Sequence, residues 1–138
     1  MEAIYTASAT ATGDGRNGHV RSADGVLDFD LAVPKEMGGP GGELTNPEEL
    51  FAAGYAACFH SALKAAARLA KVTLTDTAVT IDIGVIRRDQ GFGLRATIEA
   101  EINGVDEEIA RQLLDTAHQL CTYSNATRGN IDVVLSLA

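Results

Sequence analysis

Basic residues are scarce in this chain. Eleven lysines and arginines stand against nineteen aspartates and glutamates, and the formal net charge is −8. Binding to a phosphate backbone needs a basic surface, so this balance argues against a nucleic-acid-binding protein. The excess of acidic residues favours solubility but does not by itself indicate a fold.

Long hydrophobic runs are also missing. The longest apolar stretch, residues 50–63, is interrupted by His60 and Ser61 and falls short of the ~20 residues that a membrane-spanning helix needs. The first residues have neither the basic region nor the apolar segment of a signal peptide. We therefore expect a cytoplasmic protein without a membrane partner. Its 138 residues suffice for one domain, residues 1–138, with a hydrophobic core.

Cysteine occurs only twice, as Cys58 and Cys121. In the cytosol, a cysteine pair is more often transient and catalytic than a permanent crosslink. Other catalytic signatures are absent: neither glycine-rich segment, 13–15 or 38–42, is followed by the lysine of a phosphate-binding loop, and no Ser-His-Asp signature is present. The two thiols are therefore the first candidates for chemistry.

The hydrophobic pattern predicts the element order βββ-α-ββ-α-β, an α+β fold with antiparallel sheets around a buried central helix. In the β-rich first third, Leu27, Phe29, Leu31 and Val33 alternate with polar residues and are predicted to face the core. The later elements are a helix from the N-cap Asn46 to about Lys71, strands near 79–85 and 94–102, a helix from Asp106 through Cys121, and a strand over 131–137.

The start of the first helix is marked by residues that are typical of helix N-termini. Asn46 is a good N-cap, Pro47 suits the first helical position, and Glu49 stands three residues after the cap, as in a capping box. The preceding glycine-rich segment, residues 38–42, is predicted to be a mobile loop.

Cys58 lies within this apolar helix and allows two interpretations. Free cysteine is among the most buried residue types, so Cys58 could simply belong to the core. Alternatively its thiolate attacks a peroxide oxygen and becomes a sulfenic acid, which requires a nearby positive charge. Cys121 could then close a disulfide, provided that the two Cα atoms come within ~7 Å.

The helix also carries three aromatic residues around this thiol. Phe51, Tyr55 and Phe59 are predicted to line an apolar pocket, either for a substrate or for a lipid that a non-catalytic protein binds.

Two charged residues could support a thiolate. Arg16, in a glycine-rich loop, is either a solvated arginine or the guanidinium that lowers the pKa of the thiol. Glu48, in the first helical turn, either responds to the helix dipole or holds Arg16 through a bidentate pair.

The histidines suggest no metal site. The pairs Cys58–His60 and His118–Cys121 would supply zinc-type ligands, but neither has a spacing typical of zinc sites. His19, beside the Arg16 loop, is expected at the surface. No metal and no bound cofactor are therefore predicted.

Three segments resemble motifs of the organic hydroperoxide resistance (Ohr) branch of the OsmC-like family. The segment 45–59, with sequence TNPEELFAAGYAACF, resembles the first cysteine motif of the family. The segment 121–130, CTYSNATRGN, resembles the second, although Thr122 replaces a usual proline. ATATG at 9–13 with Gly15 and Arg16 resembles the segment that holds the family's arginine.

This resemblance implies a thiol-dependent peroxidase that reduces alkyl and fatty-acid hydroperoxides. Cys58 would be the peroxidatic cysteine, Cys121 the resolving cysteine, and Arg16 with Glu48 the charged pair. The resemblance also implies an intertwined homodimer and recycling by a dihydrolipoyl-type dithiol on a lipoylated protein. Alternatives are the sister OsmC-type peroxidase and a non-catalytic lipid-binding or redox-sensing protein.

The spacing of Glu48 and Cys58 poses a geometric question. Ten residues along a straight helix correspond to ~15 Å of rise and ~80° of rotation, so the two side chains cannot share one site. Either the helix breaks, for instance at Gly54, or Glu48 reaches the Cys58 of a second subunit. Given the dimer that the resemblance implies, we favour the second alternative.

Overall fold

Two three-stranded sheets and three α-helices make up the regular structure of the chain. A computed structural model describes residues 1–138. It confirms the predicted α+β class and the predicted order of strands and helices, with one short helix added before the last strand. The chain contains two compact units, Met1–Leu50 and Phe51–Ala138, which are described separately below. The assignment of 1–138 to one domain stays a prediction.

The first unit contains a small antiparallel sheet. Its strands are β1 (Ala9–Thr12), β2 (His19–Ser22) and β3 (Asp28–Asp30), in the order β1-β2-β3. A 3-10 turn over Gly15–Asn17 connects β1 to β2, and a second one covers Lys35–Met37. The strands are shorter than the sequence pattern suggested.

The burial that the sequence pattern predicted for the strands of the first unit is partly wrong within the single chain. Leu31 is buried, as predicted, but Leu27 and Phe29 remain 45% and 39% exposed, and all four residues of β1 are exposed. Residues 1–46 form no α-helix, so the first unit lacks a second layer that could cover this sheet. Apolar side chains therefore remain uncovered on it.

Helix α1 (Pro47–Leu69) begins as predicted and ends near the predicted residue. The Glu49 N–H donates to Asn46 Oδ1 at 2.8 Å, which confirms the N-cap. The Glu49 carboxylate accepts from the Thr45 hydroxyl at 2.8 Å and does not close a capping box. The helix passes through Gly54 without interruption, which removes the helix-break alternative.

The second unit pairs a long hairpin with a later strand. Strands β4 (Thr77–Arg87) and β5 (Phe92–Ile102) are antiparallel, whereas β6 (Asp132–Leu137) pairs parallel to β5. The parallel pairing departs from the purely antiparallel sheet that we expected. Its reason is the connection: the helices between β5 and β6 carry the chain back to the same end of the sheet, as in any helical crossover.

These connecting helices are α2 (Glu107–Leu120) and α3 (Thr122–Thr127). The sequence pattern ended the helical region at Cys121, whereas the structure adds the short helix α3 after it. Asp106 caps α2 as predicted, since its side chain accepts from the Ile109 N–H at 3.0 Å. None of the helices combines the length and the apolar character that crossing a membrane requires.

The core of the second unit lies between α1, the sheet and α2. The predicted alternation of β5 is confirmed, because Ala96, Ile98 and Ala100 are buried while their neighbours along the strand are exposed. The fully or nearly fully buried core residues are Tyr55, Phe59, Ala62, Leu63, Ala66 and Ala67 of α1, Ile81, Ile98 and Ala100 of the sheet, and Leu113, Leu114, Ala117 and Cys121.

Candidate active site

The fold of the second unit brings the two cysteines together. Cys58 lies in the middle of α1, and Cys121 occupies the junction between α2 and α3. Both are free thiols, and Cys121 Sγ donates a hydrogen bond to Cys58 Sγ across 3.5 Å. A disulfide bond is ~2 Å long, so a small side-chain movement joins the two sulfur atoms.

The two thiols have different surroundings. Cys58 is half-buried, whereas Cys121 is 1% exposed. Burial raises the pKa of the Cys121 thiol above its ordinary value, although the hydrogen bond from the Ser124 N–H opposes this effect. Cys121 therefore keeps its proton at neutral pH and can donate it to Cys58.

Buried hydroxyl groups and a histidine hold the Cys121 segment. Tyr55 OH is hydrogen-bonded to Ser124 Oγ at 2.8 Å and to Thr127 Oγ1 at 3.3 Å, and His118 Nδ1 is hydrogen-bonded to Ser124 Oγ at 2.8 Å. Ser124 and Thr127 are 0% and 3% exposed. Burial lowers the pKa of His118, and the charge of Arg128 lowers it further, so the imidazole is neutral at pH 7.

Replacing Ser124 with alanine should destabilise the protein by about 1–3 kcal/mol, because it removes the shared hydrogen-bond partner of the buried Tyr55 hydroxyl and the part-buried His118 imidazole. Urea unfolding of Ser124→Ala and of the wild type measures this loss. Ser136, exposed on β6, provides the control: Ser136→Ala should change the free energy of unfolding by less than about 0.5 kcal/mol. Equal stability of Ser124→Ala and Ser136→Ala would contradict the structural role of this network.

An open cavity lies directly beside the thiols. It has a volume of about 780 Å³, and Cys58 and Cys121 are both in its wall. Its apolar surface comes from Ala62, Ala65, Leu69 and Leu120, and its polar surface from Ser61, Arg68 and Thr122. A volume of this size accommodates an organic molecule of moderate length.

The expected pocket wall of Phe51, Tyr55 and Phe59 needs correction. Tyr55 and Phe59 are completely buried, so in this chain they offer no surface to a ligand. Phe51 is partly buried and packs with Tyr55 and Tyr123 at ring-centroid distances of 6.1 and 6.0 Å. These rings point from α1 into the core. The cavity wall is formed instead by residues that follow Cys58 along α1, such as Ala62, Ala65 and Leu69.

In the first unit, Arg16 and Glu48 form the predicted bidentate pair. Arg16 Nη1 donates to Glu48 Oε2 at 2.9 Å, and Nη2 lies 2.8 Å from Oε1. The guanidinium lowers the pKa of Glu48, so the pair is charged on both sides at neutral pH. The Glu48 side chain is 13% exposed and that of Arg16 47%, which leaves part of the guanidinium open to another anion.

The loop that carries Arg16 is tightly built. A Cβ atom on Gly18 would lie 2.3 Å from the Thr12 carbonyl oxygen, so only glycine fits where β2 begins. Next to it, His19 is hydrogen-bonded to Asp30 through Nδ1 and to Asp28 through Nε2. These contacts raise the pKa of His19 and tie β2 to β3.

The remaining histidines have partners within the second unit. His60 Nε2 is hydrogen-bonded to Thr77 Oγ1 at 2.7 Å, and His118 belongs to the network around Ser124. No group of three or more histidine, cysteine, aspartate or glutamate side chains converges as metal ligands would.

Sequence reasoning missed Ser124, Thr127 and Arg68. Nothing in the spacing indicates that Tyr55 meets residues 69 and 72 positions later. Cys58, Ala62, Ala65 and Leu69 recur at helical intervals and mark one stripe of α1, but Arg68 is not part of that stripe.

Comparison with known proteins gives a consistent result. The family model described as "OsmC-like protein" matches residues 39–136. The organic hydroperoxide resistance protein of Xanthomonas axonopodis pv. citri (strain 306) is 50% identical over 136 residues, which cover 98% of this chain and 95% of that protein.

Solved structures agree over the whole chain. An organic hydroperoxide resistance protein from Elizabethkingia anophelis superimposes with a TM-score of 0.93 at 50% identity, covering 100% of this chain and 99% of the other. The organic hydroperoxide resistance protein OhrB of Bacillus subtilis gives a TM-score of 0.89 at 43% identity, covering 99% and 100%.

Proposed function

Because the chain belongs to the OsmC-like family and its relatives are organic hydroperoxide resistance proteins, we propose that it is a cysteine-based organic hydroperoxide reductase. The observation that carries the proposal is the pair of free thiols 3.5 Å apart in the wall of an open cavity. Two thiols at this distance suit a two-electron reduction that ends in a disulfide.

The reaction proceeds in two steps. The Cys58 thiolate attacks the terminal oxygen of ROOH, the O–O bond breaks, and ROH leaves after the alkoxide takes up a proton. Cys58 is then a sulfenic acid. The Cys121 thiol attacks the Cys58 sulfur, an S–S bond forms, and the hydroxyl group leaves as water with the proton of Cys121.

Burial supports this division of roles. A peroxide in the cavity reaches the half-buried Cys58 more readily than the fully buried Cys121. The hydrogen bond from the Cys121 thiol stabilises negative charge on Cys58 Sγ. After oxidation of Cys58, Cys121 is already in contact with the sulfur that it attacks.

The cavity wall supports a preference for organic hydroperoxides over hydrogen peroxide. Ala62, Ala65, Leu69 and Leu120 offer apolar surface beside Cys58. Each methylene group that a substrate buries there contributes about 0.8 kcal/mol, and hydrogen peroxide has none. Two or three buried methylene groups would give a preference of about tenfold or more.

The Arg16–Glu48 pair can act on the Cys58 thiolate if it comes from a second copy of the chain. Helix α1 is continuous from Pro47 to Leu69, and ten residues of helix correspond to ~15 Å. We therefore assign the Arg16–Glu48 pair to the Cys58 thiolate of the partner subunit in a homodimer. The apolar residues exposed on the sheet of the first unit, Leu27 and Phe29, provide surface for such an association.

Turnover needs an external dithiol, because the disulfide must regain two electrons. We propose a dihydrolipoyl-type dithiol on a lipoylated protein, which would exchange with the Cys58–Cys121 disulfide through a mixed disulfide. The open cavity beside Cys58 leaves room for the attacking thiol.

A thiol count tests the proposed function. The fully reduced protein, freed of reductant, receives one equivalent per chain of tert-butyl hydroperoxide or of hydrogen peroxide. We expect both thiols to disappear rapidly with the organic peroxide and slowly with hydrogen peroxide, and mass spectrometry to show a Cys58–Cys121 disulfide. Survival of both thiols in the organic peroxide would contradict the proposal and favour the lipid-binding alternative.

A further inference from the structure

The cavity beside the thiols has a charged end that the proposed reaction does not use. Along α1, its wall contains Cys58, Ala62, Ala65 and Leu69, at intervals that place them on one stripe of the helix. Arg68 follows at the far end of the same wall. Ten residues separate it from Cys58, or ~15 Å of helix rise.

Arg68 is the only charged residue in the wall of this cavity. It forms no ion pair within the chain and is exposed. Its position in the last turn of α1 suits the helix dipole. The dipole does not require an arginine, however, because a lysine in that turn would interact with it equally well. In a chain with net charge −8, a free guanidinium in the cavity locally offsets repulsion of anions.

The surface between the thiols and Arg68 is largely apolar, although Ser61 and Thr122 add two hydroxyl groups to it. Leu69 and Leu120 are 72% and 42% exposed and line the cavity together with Ala62 and Ala65. The wall therefore presents the two thiols, a largely apolar stretch and a cation. This order matches an amphiphile that has a peroxide within its alkyl chain and a carboxylate at one end.

We propose that Arg68 binds the carboxylate of long-chain fatty-acid hydroperoxides whose peroxide group lies at Cys58. The assignment rests on the proposed peroxidase function and adds a determinant of substrate specificity. The planar guanidinium forms two parallel hydrogen bonds to a carboxylate, a geometry that a lysine ammonium does not reproduce. Arg68 takes no part in the chemistry of the peroxide itself.

The test compares Arg68→Gln with the wild type on three substrates: a long-chain fatty-acid hydroperoxide, its methyl ester and cumene hydroperoxide. We expect KM for the free acid to rise about fivefold in the variant, the size expected for an exposed ion pair. KM for the ester and for cumene hydroperoxide, and kcat for all three, should remain unchanged. Arg68→Lys should recover part of the loss.

A matched control and a binding measurement complete the test. Arg111, exposed on α2 and absent from the cavity wall, is replaced in Arg111→Gln, which should leave all three substrates unaffected. Calorimetry with dodecanoate and its methyl ester should show that Arg68→Gln weakens binding of the acid only. Added salt should weaken acid binding to the wild type.

Failure of the peroxidase function and failure of the carboxylate site give different experimental results. A wild type that reduces none of the three peroxides overturns the peroxidase function, while the dodecanoate measurement still decides the role of Arg68. A wild type that reduces all three, with acid and ester equally affected or equally unaffected by Arg68→Gln, overturns only the carboxylate site.

Discussion

Replacing Cys58 with serine should abolish the reduction of organic hydroperoxides, lowering kcat/KM by roughly a thousandfold or more. A serine hydroxyl is a far weaker nucleophile than a thiolate and forms no sulfenic acid. The measurement is consumption of tert-butyl hydroperoxide with dihydrolipoamide as the reductant. The fold should survive, because serine is close in size to cysteine and Cys58 is only half-buried.

The matched variant is Cys121→Ser, which removes the other thiol of the same pair. It should react with one equivalent of peroxide at a rate close to that of the wild type and then stop at the sulfenic acid. Mass spectrometry should find a single added oxygen on Cys58, and a carbon nucleophile that traps sulfenic acids should label this residue. If instead Cys58→Ser keeps the first turnover and Cys121→Ser loses it, the assigned roles are reversed.

Replacing Arg16 with glutamine should slow oxidation of Cys58 by about 10²–10³-fold, because it removes preorganised charge that favours the thiolate and the developing oxyanion. The rate is measured in a single turnover, from the loss of free thiol after mixing with peroxide. Arg16→Lys should recover part of the rate, since an ammonium keeps the positive charge but does not reproduce the two contacts to Glu48, at 2.9 and 2.8 Å.

Glu48→Gln should have a smaller effect, because Arg16 keeps its charge and loses only its anchor. The pKa of Glu48 is lowered by Arg16. The contribution of this pair to stability is therefore present above the ordinary pKa of a glutamate and is lost only as the pH falls through the lowered value. Activity assays near neutral pH thus examine the intact pair.

Mixed dimers of Cys58→Ser and Glu48→Ala chains decide which subunit the pair serves. If the charge acts across subunits, one of the two sites in each mixed dimer keeps both Cys58 and Glu48, and about half of the activity remains. If it acts within one chain, both sites are damaged. An unchanged single-turnover rate in Arg16→Gln would contradict a catalytic role for the pair in either arrangement.

Features that depend on neighbouring residues along the chain were predictable. Asn46 and Asp106 cap their helices as the sequence indicated, because a cap is a hydrogen bond to a group three residues away. The alternation of apolar and polar residues in β5 correctly predicted its buried face, because successive side chains of a strand point to opposite sides.

The resemblance to a known family added residue pairs that local pattern does not supply. The chemistry of the side chains offered the pairing of Arg16 with Glu48 as one alternative, the resemblance favoured it, and the structure shows it over a separation of 32 residues. The contact of Cys58 with Cys121 joins residues 63 positions apart. Spacing alone predicted neither contact, since nothing local connects such distant residues.

The succession of elements and the candidate thiols follow from the sequence. The parallel pairing of β6 with β5, the burial of Tyr55 and Phe59, and the place of Ala65, Arg68 and Leu120 in the cavity wall follow only from the folded chain. A periodic pattern shows which face of an element is apolar but not what packs against it. Sheet pairing and cavity walls arise from contacts between segments far apart in the chain.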